Sequence, residues 1–126
     1  MRIAITGGPK SGKTTLAAQL GVEYGVTVQH TDDLISLGWD VAIEETARRF
    51  NATGPWIIEG VQVARALRYW LQGHPEGLPC DQVIYLVGPK APYTKNGQAI
   101  MAKGIATVMS QIEGRLLPIL AKPIAI

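Results

Sequence analysis

Apolar positions along the chain switch between two periods, and the switches mark out its elements. Residues 2–6, RIAIT, are a short β-branched run ending in Gly-Gly-Pro, the pattern of a buried strand feeding a turn. From Lys13 the spacing lengthens. Leu16, Leu20 and Tyr24 recur at i, i+4, i+8 beside Ala17 and Ala18, predicting a helix that Gly25 is placed to stop. Residues 26–30, VTVQH, read as a second strand. Residues 40–51 read as a helix with Asp40 as N-cap and Ile43, Ala47 and Phe50 on one face. Gly54-Pro55 breaks that helix, and residues 56–60, WIIEG, form a third strand. A helix over 61–73 turns Val63, Leu67, Trp70 and Leu71 inward. After a loop at 74–79, the apolar run QVIYLV at 82–87 is a fourth strand. A second loop, 88–97, is basic and broken by proline. Met101, Ile105, Val108, Ile112 and Leu116 then keep helical spacing despite Gly104 and Gly114, until Pro118 ends the helix. Residues 121–126, AKPIAI, suit either a last edge strand or a loose tail.

Strands alternating with helices predict an α/β fold: three layers, with a mostly parallel sheet of four or five strands and helices on both faces. The strands are apolar nearly throughout, as strands covered on both sides are. At 126 residues the chain is expected to be a single domain, 1–126.

Charge adds little to this picture. Twelve Lys and Arg against ten Asp and Glu leave a net charge of +2, with the signs interspersed. That argues against a nucleic-acid groove. Cys80 is the only cysteine, so neither an intramolecular disulfide nor a cysteine zinc knuckle can form. No run approaches the ~20 apolar residues of a membrane span, and no secretory signal pattern precedes the first strand. A cytoplasmic protein that does not bind membranes is expected.

The chemistry is concentrated in residues 7–14, GGPKSGKT, at the junction of the first strand and first helix. Gly7, four residues and then Gly12-Lys13-Thr14 satisfy G-x-x-x-x-G-K-[ST] in the strand–turn–helix context that the pattern requires. Glycines let the backbone approach a phosphate closely, and the helix start supplies unpaired N–H groups and a positive dipole end. The turn Gly7, Gly8, Pro9, Lys10, Ser11, Gly12, together with Lys13, Thr14 and Thr15, is therefore the expected nucleotide-binding segment. Lys13 would carry charge to the β- and γ-phosphates, and the Thr14 hydroxyl would ligate Mg²⁺.

Strands of a parallel sheet share one carboxyl edge, where ligands bind. HTDDLI at 30–35 puts Asp32 and Asp33 on that edge, and WIIEG puts Glu59 there. A carboxylate at 32 or 33 would take a proton from an acceptor hydroxyl or hold Mg²⁺ through water. The plainer alternative is an N-cap or Asx-turn pair before a short helix at 34–37. Glu59 would fix a magnesium-bound water, with a turn acid paired to a nearby Lys or Arg as its alternative. The metal candidates are thus Thr14, Asp33 and Glu59.

On the glycine-rich motif the chain resembles the P-loop NTPase superfamily. It lacks the guanine-reading Asn-Lys-x-Asp, since TKNG at 94–97 has another order and no Asp. The pair TDDLI and GPWIIEGVQVAR is similar to segments of the nucleoside and nucleotide kinase branch, of the uridine-kinase and adenylate-kinase kind. That resemblance covers roughly the first 90 residues. It implies an ATP-dependent, Mg²⁺-dependent kinase acting on a nucleoside, a nucleotide or a similar small acceptor. Lys13, Asp32 and Glu59 would be the catalytic residues, Asp32 the acceptor-facing base, and loop 88–97 the lid.

Two departures bear on activity. The adenylate-kinase pattern has an Arg four residues beyond the acid, where this chain has Val63, with Arg65 as the nearest substitute. No Arg lies between Arg68 and Arg115, so Lys90, Lys95 and Lys103 are the cations at hand near the lid. Lysine neutralises phosphate but lacks the bidentate fork of arginine. The alternative is a nucleotide-binding or slow NTPase module that docks a partner through its last helix. Asp32, Asp33, Trp39 and Arg65 are the acceptor-side candidates, with Trp39 a stacking surface. His30 would shuttle a proton or merely sit at a strand end, and His74 reads as an exposed loop residue. Cys80 has no evident basic neighbour. Nucleic acid is not an expected partner, 5′ ends being the open case, and a homo-oligomer is left open.

Overall fold

Each apolar run forms a strand, and every pairing in the structure, a computed structural model, is parallel. The residues described are 1–89, 91–116 and 119–123, the last five as backbone alone. Lys90 and Pro118, both singled out above, lie outside them. In chain order the elements are β1 (Arg2–Gly7), α1 (Lys13–Tyr24), β2 (Val28–His30), a 3-10 helix (Asp32–Leu37), α2 (Trp39–Arg49), β3 (Trp56–Glu59), α3 (Val63–Gly73), β4 (Gln82–Val87), α4 (Gln98–Ile112) and β5 (Ile119–Pro123). The sheet order is β2-β3-β1-β4-β5, with β1 at the centre.

Alternation along β1 divides the interior in two. Ile3 and Ile5 point to one face, where they meet Ile57, Ile84, Leu86 and Ala17 of α1. Ala4 points to the other, with Ile58 and Val83, beneath α3 and α4 and the end of α2. The protein is therefore α/β with helices on both faces of an all-parallel sheet. The second face is the heavier. Val63, Leu67, Trp70 and Leu71 of α3 are all buried there, as the spacing predicts, beside Ile105, Val108 and Ile112 of α4. Each such side chain contributes roughly 1.5–3 kcal/mol by leaving water.

Several boundaries differ from expectation, four of them for a local reason. The second strand begins at Val28, because the amides of Gly25 and Val26 turn back to the carbonyls of Val22 and Gly21 and cap α1. Gly38, not Asp40, precedes α2. Asp40 lies in the first turn, where its charge still favours the helix dipole. The helix expected over 61–73 starts at Val63, since Val61 and Gln62 serve the turn out of β3. The last helix stops at Ile112; Leu116 is buried beyond it without being helical, as the chain turns towards β5. β5 pairs with β4 from Val83↔Ile119 to Val87↔Pro123, so residues 121–123 are an edge strand. Among the described residues no helix is long and apolar enough to cross a membrane.

Leu67 is fully buried between α3 and the sheet. Leu67→Ala is expected to cost about 2–5 kcal/mol in urea unfolding. Leu78→Ala, at a side chain 54% exposed, should stay within about 0.5 kcal/mol; equal losses would place the core elsewhere.

Candidate functional site

Parallel pairing brings the carboxyl ends of β1, β2 and β3 side by side, and the site is built from the residues just beyond each end. After β1 the chain turns through Lys10, left-handed at φ 61°, and Gly12, left-handed at φ 91°, before α1 begins at Lys13. A non-glycine residue in this region costs on the order of 1–2 kcal/mol. Left-handed residues in such turns fold backbone N–H groups into a concavity that suits an anion. No side chain caps α1, and among the described residues the amides of Lys13, Thr14 and Thr15 donate to no protein acceptor. A roof closes over part of this turn. A Cβ at Gly8 would lie 2.7 Å from Cβ and 3.0 Å from Cα of Ala102 in α4.

Lys13 is buried, and its Nζ donates to the Gly8 carbonyl at 3.0 Å. Burial lowers its pKa, while the nearby charges of Asp32 and Glu59 oppose that shift. The three groups expected to be catalytic thus lie in one electrostatic field.

Glu59 ends β3 and is almost entirely buried, at 2% exposure. Its Oε2 accepts from His30 Nδ1 at 2.6 Å and, weakly, from Thr14 Oγ1 at 3.5 Å. Its Oε1 is buried with no partner. The acid is therefore paired with a histidine, not with the Lys or Arg that its plainer reading supposed. His30 in turn faces Glu59, its register partner across β2 and β3, and not Asp32.

Asp32 opens the 3-10 helix behind Thr31 and is exposed, but its Oδ1 accepts the Val61 amide at 2.8 Å. Thr31 Oγ1 donates to the Glu59 carbonyl at 2.9 Å, and Gln62 Nε2 donates to the Thr31 carbonyl. A Cβ at Gly60 would overlap Thr31 Oγ1, so the crossing from β3 to α3 is threaded tightly beneath residues 31 and 32. Asp33 is exposed one residue further on. Its carbonyl accepts from Ser36 Oγ at 3.0 Å, and it shares no hydrogen bond with Thr14 or Glu59. Trp39 and Arg65 are brought together, the guanidinium 5.6 Å from the ring centre. Space for it comes from α4: a Cβ at Gly104 would stand 3.0 Å from Arg65 Nη2. An open cleft of about 380 Å³ between α2, α3 and α4 includes Arg65 but none of Lys13, Asp32 or Glu59.

The remaining candidates are placed elsewhere. Arg115 Nη2 donates to the carbonyls of His74 and Gly77, on the loop entering β4, at the opposite edge of the sheet. Trp56 stacks on Phe50, and Trp70 lies in the core as its helical spacing suggested. His74 is less idle than its loop implied, stacking on Trp70 with ring centres 3.8 Å apart. At the lid-like loop, the amides of Thr94 and Lys95 both donate to Gln98 Oε1, which ties the loop to the start of α4. Among the described residues no group of three or more His, Cys, Asp or Glu is arranged to hold a metal.

No protein-family model matches the chain, and no curated protein matches it significantly. Thr31, Gln62 and His30 are the members of the cluster that sequence reasoning missed or left aside. Their one signal was position, at or within three residues of the end of β2 or β3.

Cys80 is buried, and burial pushes its thiol up to about 12, outweighing Arg2, the basic neighbour that the sequence did not reveal. Between pH 9 and about 12 only the unfolded thiol ionises, so stability should fall across that window and not below it. At pH 8 a disulfide reagent is expected to leave native Cys80 unmodified over minutes and to label it fully in urea. Rapid native labelling would contradict its burial.

Proposed function

We propose that the chain is a small phosphotransferase of the P-loop kind, moving the γ-phosphoryl of ATP to a hydroxyl or phosphate of a small acceptor. The observation that carries this reading is the uncapped N-terminus of α1, with buried Lys13 beside it in the field of Asp32 and Glu59. An uncapped helix start next to a buried ammonium suits a polyanion. The flanking carboxylates suit a reaction in which a hydroxyl proton must leave.

In this reading the amides at the start of α1 and Lys13 Nζ bind the phosphates, with Lys13 leaving the Gly8 carbonyl for them. Asp32 has one carboxylate oxygen committed to Val61, which fixes its position, and the other is available to an acceptor proton. Magnesium fits the residues present. Thr14 offers a hydroxyl, and Glu59 offers Oε1, a buried carboxylate oxygen that otherwise has no partner. A bound Mg²⁺ would neutralise charge on the β- and γ-phosphates. Asp33 contributes no contact to this set.

A second reading is favoured by the arginines. Arg115 is held at the far edge, and lid lysines lack the fork that stabilises a transferring phosphoryl. A nucleotide-binding module with slow hydrolysis, presenting α4 to a partner, would need no such clamp.

The test uses γ-labelled ATP and Mg²⁺ with nucleosides, nucleoside monophosphates and 5′-hydroxyl oligonucleotides as acceptors. Label should pass to one class. Asp32→Asn is expected to slow transfer by about 10²–10⁴ while nucleotide affinity stays within about threefold, the margin that separates a base from a ligand contact. Lys13→Ala should weaken nucleotide binding itself. Equal weakening by both would remove Asp32 as the base, and binding without transfer to any acceptor would favour the second reading.

A further inference from the structure

Glu59 is the most buried acid of the site, yet its nearest polar partner, His30, is half exposed. The side-chain exposures are 3% and 52%. The imidazole therefore joins a buried carboxylate to the surface. The contact has a structural origin, because β2 and β3 pair in parallel with His30 directly opposite Glu59. An ionised carboxylate only accepts hydrogen bonds, so the 2.6 Å contact places the proton on Nδ1. Oε2 is then occupied twice, by Nδ1–H and weakly by the Thr14 hydroxyl. Oε1 is left as the buried oxygen with no partner.

We propose that His30 is a positioning residue for Glu59: it holds Oε2, fixes the carboxylate's rotation, and so reserves Oε1 for the hydration shell of a divalent cation. This rests on the proposed function for the identity of the cation's companion, a nucleoside triphosphate. The terminal torsion of a glutamate carboxylate is broad and roughly two-fold. Without a donor at His30, Oε2 and Oε1 would exchange, and Thr14 would compete for either. Partners that orient a metal's ligands in this way typically change metal affinity 10–100-fold when removed.

The variants are His30→Phe, which keeps a planar ring but no donor, and His30→Asn, whose amide nitrogen occupies the position of Nδ1. Calorimetry would follow binding of a non-hydrolysable ATP analogue to the full chain across a Mg²⁺ titration, with Mn²⁺ binding alone followed by electron paramagnetic resonance. His30→Phe should keep its circular dichroism and its nucleotide affinity in EDTA, and should need about tenfold more Mg²⁺ for half-maximal tightening. His30→Asn should return to within about threefold of wild type, which a merely space-filling role for His30 would not produce. An unchanged Mg²⁺ requirement in His30→Phe, with nucleotide still bound, overturns the proposal and leaves the proposed function standing. A wild type that binds no nucleotide at all sinks the proposed function instead. Mn²⁺ alone then decides the role of His30: weaker Mn²⁺ binding in His30→Phe than in wild type supports it, and equal or absent binding overturns it.

Discussion

The parallel pairing of β1 with β3 on one side and β4 on the other is the constraint on which the rest depends. It brings the turn after Gly7 and the acid that ends β3 to the same edge of the sheet. β2 then adds His30 in register with Glu59, and the chain beyond it adds Asp32. A single antiparallel strand among these would send one of the groups to the opposite edge. Two separate apolar faces hold this arrangement, since α1 packs on one side of β1 and α3 and α4 on the other. The core therefore does more than stabilise. It fixes which strand ends are neighbours.

Burial of Lys13 and Glu59 is expensive unless each is compensated. Lys13 has the Gly8 carbonyl and two carboxylates in its field, and Glu59 has His30 and the Thr14 hydroxyl. The compensation is incomplete on one atom, Glu59 Oε1, and in the amides that begin α1. An unpaired buried carboxylate oxygen beside an uncapped helix start is what distinguishes this edge from an ordinary turn with an acid beside it. By contrast, Asp33, a metal candidate in the sequence, is solvated and bonded only locally.

The sequence made the period of each element legible, and with it the parallel α/β class, because buried strands and amphipathic helices carry different repeats. The turn in GGPKSGKT between the first strand and the first helix was legible for the same reason: its physics is local, written into eight consecutive residues. What was not legible depends on register. Nothing in HTDD or WIIEG says that His30 stands opposite Glu59 rather than beside Asp32. The same holds for Arg115, whose carbonyl partners lie about 40 residues away in the chain, and for Gly104. In a helix interior that glycine reads as a weakness, yet it makes room for the Arg65 guanidinium. The displaced start of the second strand is a cap effect, in which the backbone bonds of Gly25 and Val26 outvote the side-chain pattern.

Charge balance bears on how the proposed nucleotide would enter. At this edge Lys13 offers one positive charge beside the carboxylates of Asp32 and Glu59. The dipole at the start of α1 adds only about half a charge. Arginine supplies little more, because Arg2, Arg48, Arg49, Arg68 and Arg115 all have oxygen partners elsewhere. Arg65 rests over Trp39 on the helix beyond Glu59. A free triphosphate would meet net repulsion from the two acids, whereas a triphosphate carrying a divalent cation turns the same acids into attractive partners. In the proposed reading the two acids would favour metal-loaded over metal-free nucleotide. In that discrimination the unpaired Oε1 of Glu59 is the group whose interaction changes sign.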